Sequence, residues 1–210
     1  MREAIDTFSN VGTSNVFFQL VLGRITPKAI AASLGTKPPA VVEHLHKLRG
    51  TGVVELGEKK GKYQHYEIDW KRFVHEFFEH IYTPGVQRVH LRSGDGAVER
   101  EMGSMKEIMG ELKRSELFLG MLRRYFENLA RDMEGELYPK RTVWGAIYCF
   151  EEALWYVPQI LDKVTNPETR KLLALLERWN RYMQRFSDHG PLAALESSVK
   201  AVEGSKDDMS

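Results

Sequence analysis

Hydrophobic residues recur with the period of an α-helix along most of the chain, and polar residues between them mark where helices begin and end. Residues 15–22 are apolar enough for a short buried helix that ends at Gly23. Thr26 and Pro27 begin a second helix, because Thr is a good N-cap and Pro fits the first helical turn. Gly35 ends this second helix.

A third helix, a hairpin and a fourth helix follow. Thr36 is expected to cap the third helix, which runs to about Arg49 and stops at the glycine-rich residues 50–52. Residues 53–56 and 63–68 predict two strands joined by a polar turn. Asp69 can cap a further helix that extends to about Tyr82.

The remainder of the chain predicts helices only. Residues 83–96 contain one proline and three glycines and are expected to form a linker. Apolar residues then recur every three or four positions from Met105 to Met133, with Ser115 in the one polar slot. This stripe is typical of a coiled coil or a helical bundle. Further apolar stripes span residues 143–157, ended by Pro158, and residues 172–186.

This order of elements predicts a mainly α fold with a small β-hairpin wing. Residues 1–82 follow the order of a winged helix-turn-helix: helix, helix, short turn, helix, hairpin, helix. Residues 83–96 are the linker, and residues 97–203 form a C-terminal all-helical domain for dimerisation or regulation. Residues 204–210 are expected to be a flexible tail.

The segment of residues 33–54 resembles the central stretch of ArsR-like and related archaeal winged-helix regulators. The resemblance depends on a Leu-Gly pair, an Ala-Val pair, a His-Leu pair, a further Leu, and a Gly followed by two aliphatic residues: Leu34, Gly35, Ala40, Val41, His44, Leu45, Leu48, Gly52, Val53 and Val54. It covers roughly residues 10–80, and it implies a DNA-binding transcriptional regulator. Pro38 and Pro39 depart from the family, whose members usually place Ser or Gln early in this helix.

The third helix has one apolar and one polar side. An α-helix turns by about 100° per residue, so Val41, Leu45 and Leu48 share a face. Glu43 and His46 lie opposite. A recognition helix needs such a division, because its outer side chains read base edges in the major groove.

The net charge of the chain is only +1, but the charge is unevenly distributed. Between residues 24 and 65 there are eight Lys and Arg residues against three Glu, a local charge of +5 that favours a polyanionic partner. We expect sequence-specific binding to double-stranded DNA, with recognition helix 37–49 in the major groove and wing 58–65 on the backbone or minor groove. The expected contact residues are Thr36, Lys37, Pro39, Val42, Glu43, His46, Lys47, Lys59, Lys60 and Lys62.

Other interpretations stay open. A winged helix can also be a protein-interaction module that docks on the basal transcription machinery, and an intermediate case binds DNA and recruits a general transcription factor. The wing lysines can be an ordinary solvated turn. His44 is expected to pack between helices rather than bind a ligand. The aromatic residues between 144 and 186 can line an effector pocket, although their helical spacing favours packing.

No metal site, cofactor or enzymatic activity is expected. The single cysteine, Cys149, lies in an apolar helical stripe, and His75 and His80 do not share a helical face. The sequence contains no phosphate loop or catalytic triad signature.

A homodimer on two half-sites is expected, because one winged helix covers few base pairs. The stripe of residues 105–133 and the helix of residues 70–81 are alternative interfaces. The stripes of residues 143–157 and 172–186 can instead complete a bundle with the first stripe inside one chain. No apolar run approaches the roughly 20 residues of a membrane span. The N-terminus does not resemble a signal peptide, and a lone cysteine favours the cytoplasm.

Overall fold

A computed structural model describes residues 2–59, 64–76, 106–135, 141–154 and 156–187. Within these ranges the protein is mainly helical, with one two-stranded antiparallel sheet. The chain divides into two compact units. The first combines the described residues up to 76 with those from 111 to 153, and the second contains the other described residues.

The first two helices begin earlier than the sequence predicts. Helix α1 spans Arg2–Ser9 and was not predicted, and α2 spans Val11–Val21 rather than residues 15–22. The Asn10 side chain caps α2 by accepting a hydrogen bond from the Thr13 backbone N–H at 2.9 Å. The cap allows polar residues to occupy the buried first turn, which the apolar pattern therefore missed.

Helices α3 and α4 span Pro27–Leu34 and Pro38–Gly50. The predicted signals of α3 are confirmed: the Thr26 hydroxyl accepts from the Ala29 N–H, and Gly35 ends the helix with a left-handed φ of 62°. The prediction that Thr36 caps α4 is wrong, because Lys37 holds that position and makes no side-chain cap. Two prolines in the first turn lack the N–H groups that such a cap would satisfy.

The predicted hairpin is present. Strand β1 (Val54–Leu56) pairs antiparallel with β2 (Tyr66–Ile68), and Leu56 lies opposite Tyr66. On the other edge of β2, the Tyr66 N–H donates to the Ile25 carbonyl at 2.9 Å, which ties the hairpin to the start of α3. Residues 60–63, between the strands, lie outside the described ranges.

Helix α5 spans Trp70–Glu76, and Asp69 caps it as predicted by accepting from the Arg72 N–H at 2.9 Å. The predicted continuation of this helix to Tyr82 lies outside the described residues. The same is true of the linker 83–96, the start of the helical domain at 97–105, residues 188–203 and the tail 204–210.

The long apolar stripe is divided between two helices. Residues 106–114 form α6, and α7 spans Glu116–Glu134. Ser115 interrupts the helix, because its side chain caps α7 by accepting from the Phe118 N–H at 3.1 Å. A polar residue in the stripe was therefore a helix boundary.

Helices α8, α9 and α10 span Val143–Leu154, Val157–Leu161 and Pro167–Ser187. Pro158 was expected to end the stripe of α8, but α8 ends at Leu154 and Pro158 lies in the first turn of α9. In the second unit, α9 packs on α10. The buried Asn180 amide donates to the Leu154 carbonyl at 3.3 Å.

An aromatic cluster forms the core of the first unit. The ring of Phe126 on α7 lies 6.0 Å from Phe17, 5.3 Å from Phe73 and 6.1 Å from Trp70 between ring centroids. Helix α7 also joins α5 through an ion pair between Lys71 and Glu116. This division of the chain differs from the predicted one at 83–96, because residues 111–153 complete the core of the N-terminal helices.

The apolar stripe of α7 is covered within its own chain. Its buried members include Leu119, Leu122 and Ala130 in addition to Phe126. Helix α7 packs on α2 and α5, which were not predicted as its partners. It also meets the stripe of residues 143–157, which was, through contacts of Phe118 and Tyr125 with Phe150. Among the described residues, no helix is long and apolar enough to cross a membrane.

Candidate nucleic-acid interface

Helix α4 presents one face to the core and the other to solvent. Val41, Leu45 and Leu48 are buried, and α4 packs on α2 and α3 through this side. Glu43 and His46 are exposed, as the helical period predicts. Every predicted contact residue in α4 therefore lies on the exposed or half-buried side: Pro39, Val42, Glu43, His46 and Lys47.

The other predicted contact residues fall into two groups. Thr36 and Lys37 are exposed where the chain enters α4. The first turn there has few N–H groups to offer, because Pro38 and Pro39 have none and the Ala40 N–H donates to the Lys37 carbonyl at 3.1 Å. Lys59 is exposed after β1. Lys60 and Lys62 lie outside the described residues, so their part in the surface stays a prediction.

Lys47 and Glu43 form an ion pair one helical turn apart, with 2.9 Å between Nζ and Oε1. The hydrogen bond from Lys47, followed by its positive charge, lowers the pKa of Glu43. Both side chains are largely exposed, so water and salt screen the pair and a phosphate or base can compete for either group.

His44 faces away from this surface and packs on α2, in agreement with its predicted packing role. Its Nδ1 lies 3.0 Å from the Thr13 hydroxyl. Gly12 leaves room for the ring, because a Cβ there would lie 2.7 Å from His44 Cε1. Burial, followed by the charge of Lys47, lowers the pKa of His44, and Glu43 opposes the shift.

An open cleft of about 810 Å³ separates the outer face of α4 from α1 and the start of α2. The lining residues of this cleft are Asp6, Thr7, Asn10, Thr13, Glu43, His46, Lys47 and Gly50. The sequence interpretation missed the cleft because it missed α1. A signal for α1 was present, because Met1, Ala4, Ile5 and Phe8 recur at the spacing of one helical face, and Phe8 is indeed buried.

The outer face of α4 and the adjoining cleft present charged and polar side chains. They supply cationic groups, one imidazole and carboxylates. Within the described ranges, no three His, Cys, Asp or Glu side chains are placed to hold a metal ion. The half-buried Cys149 accepts a hydrogen bond from Arg141 at 2.6 Å. No family model, curated protein or solved structure matches this chain.

Proposed function

We propose that this protein is a transcriptional regulator that binds double-stranded DNA through a winged helix-turn-helix. In this proposal α3 and α4 are the helix-turn-helix, and the β1–β2 hairpin is the wing. The observation that carries the proposal is the division of α4, whose apolar side is fully buried while its polar side is exposed. An α-helix with one free side fits the major groove of B-DNA.

Charge and polarity suggest how the contacts are divided. Lys37 suits a phosphate, because its exposed ammonium group lies at the N-terminus of α4, where the helix dipole adds partial positive charge. Lys59 and the wing lysines beyond it suit the backbone or the adjacent minor groove. His46 and Glu43 project from the middle of α4, where side chains reach base edges, and a carboxylate can accept from the cytosine amino group.

We further propose that the protein acts as a homodimer, because a single winged helix covers few base pairs and specific affinity usually needs two half-sites. The apolar stripe of α7 is engaged within the chain, so the dimer would use another surface. The C-terminal helices would then serve regulation or the recruitment of a general transcription factor.

Selection of bound duplexes from a random DNA pool tests this function. We expect the wild-type protein to enrich a motif of two related half-sites. Replacing His46 or Glu43 by Ala should change the preferred base at one position of each half-site, with about 1–3 kcal/mol of discrimination lost there. The matched control is Glu168→Ala on α10, which removes an exposed carboxylate outside the proposed surface and should leave the motif unchanged.

Two outcomes would contradict the proposal in different ways. An identical motif for the wild type and both α4 variants would remove these side chains from base recognition. A pool without any enriched motif, together with no measurable duplex affinity, would favour a module that docks on the transcription machinery through protein contacts.

A further inference from the structure

Helix α4 rests on α2 at an unusually close contact. A Cβ placed on Gly12 would lie 2.7 Å from Cε1 and 2.8 Å from Nε2 of His44, distances that a real Cβ does not tolerate. The edge of the imidazole therefore lies against the backbone in the first turn of α2. The ring is therefore part of the contact between α4 and α2, beside the buried side chains of Val41, Leu45 and Leu48.

A short chain of hydrogen bonds joins His44 to the cap of α2. The Thr13 hydroxyl donates to the Asn10 Oδ1 atom at 3.1 Å. The same hydroxyl lies 3.0 Å from His44 Nδ1, so a hydrogen bond joins the imidazole to the first turn of α2. The other ring nitrogen, Nε2, lies on the side of the ring that faces Gly12.

The surroundings of the ring oppose a second proton. The ring lies at the N-terminal end of α2, where the helix dipole is positive and disfavours an imidazolium. Lys47 on α4 adds a further positive charge, and its partner Glu43 is the carboxylate that favours protonation. Asp6 of α1 and His46 of α4 line the adjoining cleft, whose wall includes Thr13.

We propose that His44 is a proton-controlled joint between α2 and α4, which seats α4 for DNA when the imidazole is neutral and releases it when the imidazole is protonated. The inference rests on the proposed function, since it concerns regulation of the same surface. His44 lies next to Glu43 and one helical turn from Lys47, so a shift of its ring moves the outer side chains with it. Burial lowers the pKa of the seated ring, and the released ring regains its ordinary pKa of about 6.5. The released state therefore binds more protons, and a falling pH favours it.

The test measures the affinity of the full chain for its selected duplex between pH 7.5 and 5.0 at constant ionic strength. The protein variants are the wild type, His44→Gln and, as a matched control, His75→Gln on α5. We expect the affinity of the wild type, relative to His44→Gln, to fall as the pH drops through the lowered pKa of the seated ring, by at most tenfold per pH unit, as one proton requires. His75→Gln should follow the wild type.

A spectroscopic measurement tests the joint without DNA. The imidazole Cε1–H signal that disappears in His44→Gln, or in His44→Asn if the first variant does not fold, identifies His44 in the wild type. This signal should titrate below pH 6.5. Titration at or above that value, or parallel affinity profiles for the wild type and His44→Gln, would overturn the inference while leaving DNA binding intact. Absence of duplex affinity at pH 7.5, with the low titration observed, would instead count against the proposed function.

Discussion

Ser14 shows how one buried hydroxyl can organise three helices. It lies in α2, donates to the Phe8 carbonyl of α1 at 3.2 Å and accepts from the Val143 N–H of α8 at 2.9 Å. Val143 is the first residue of α8, where a backbone N–H has no partner within the helix. The hydroxyl therefore satisfies a buried donor that the helix itself cannot satisfy.

Replacing Ser14 by Ala should lower the free energy of unfolding by about 1–3 kcal/mol, because the Val143 N–H would stay buried without this acceptor. The control is Ser33→Ala on α3, which removes an exposed hydroxyl and should change the free energy by less than about 0.5 kcal/mol. Urea denaturation followed by circular dichroism measures both. Equal effects of the two substitutions would show that the hydroxyl of Ser14 is not a structural link.

At the scale of elements, α7 is the helix that the N-terminal elements need to complete their core. Phe126 is fully buried and contacts aromatic rings from both α2 and α5. Arg24, which follows α2, pairs with Glu134 at the end of α7 across 2.6 Å. The helices proposed to bind DNA thus pack on a core that α7, from a distant part of the chain, helps to form.

Replacing Phe126 by Ala should lower the free energy of unfolding by about 3–5 kcal/mol, because it leaves a cavity at the centre of the aromatic cluster. Leu117→Ala, in the same helix but 43% exposed, is the matched control and should cost much less. Denaturant unfolding with tryptophan fluorescence measures both. A small loss for Phe126→Ala would contradict the assignment of α7 to the first unit.

Local signals predicted several elements, and tertiary contacts determined the others. Thr26 and Gly35 define α3 through chemistry that lies within a few residues, so the sequence was sufficient. Ser115 was misread because a capping serine and a polar residue within a stripe look alike in sequence. The stripe of α7 indicated that one face is buried, but hydrophobic periodicity carries no information about which helices cover that face.

The exposed face of the candidate site was predictable from the sequence, but the cleft beside it was not. The two faces of α4 follow from its period alone, and the exposure of Glu43 and His46 agrees with that prediction. The cleft beside α4 was not predicted, because α1 forms its far wall. Contacts of buried residues such as Phe8 hold α1 in place. The Gly12–His44 contact also joins residues far apart in the chain.

At the scale of the whole molecule, charge decides how strongly a polyanion is attracted. Two basic residues of the segment 24–65 are engaged in ion pairs, because Arg24 pairs with Glu134 and Lys47 pairs with Glu43. Lys37 and Lys59 are exposed at the start of α4 and after β1, respectively. These lysines and the wing lysines beyond them are the proposed phosphate contacts, so they should determine how salt weakens binding.

The most direct test is the salt dependence of affinity for the selected duplex, measured for the wild type, Lys37→Ala and the triple variant with Ala at Lys59, Lys60 and Lys62. Each phosphate contact that is lost should lower the steepness of log K against log salt by about 0.9. We therefore expect a smaller slope for Lys37→Ala than for the wild type, the smallest for the triple variant, and an unchanged slope for Lys163→Ala outside the first unit. Slopes that are the same in all four proteins, or a wild-type protein without duplex affinity, would contradict DNA binding through α4 and the wing.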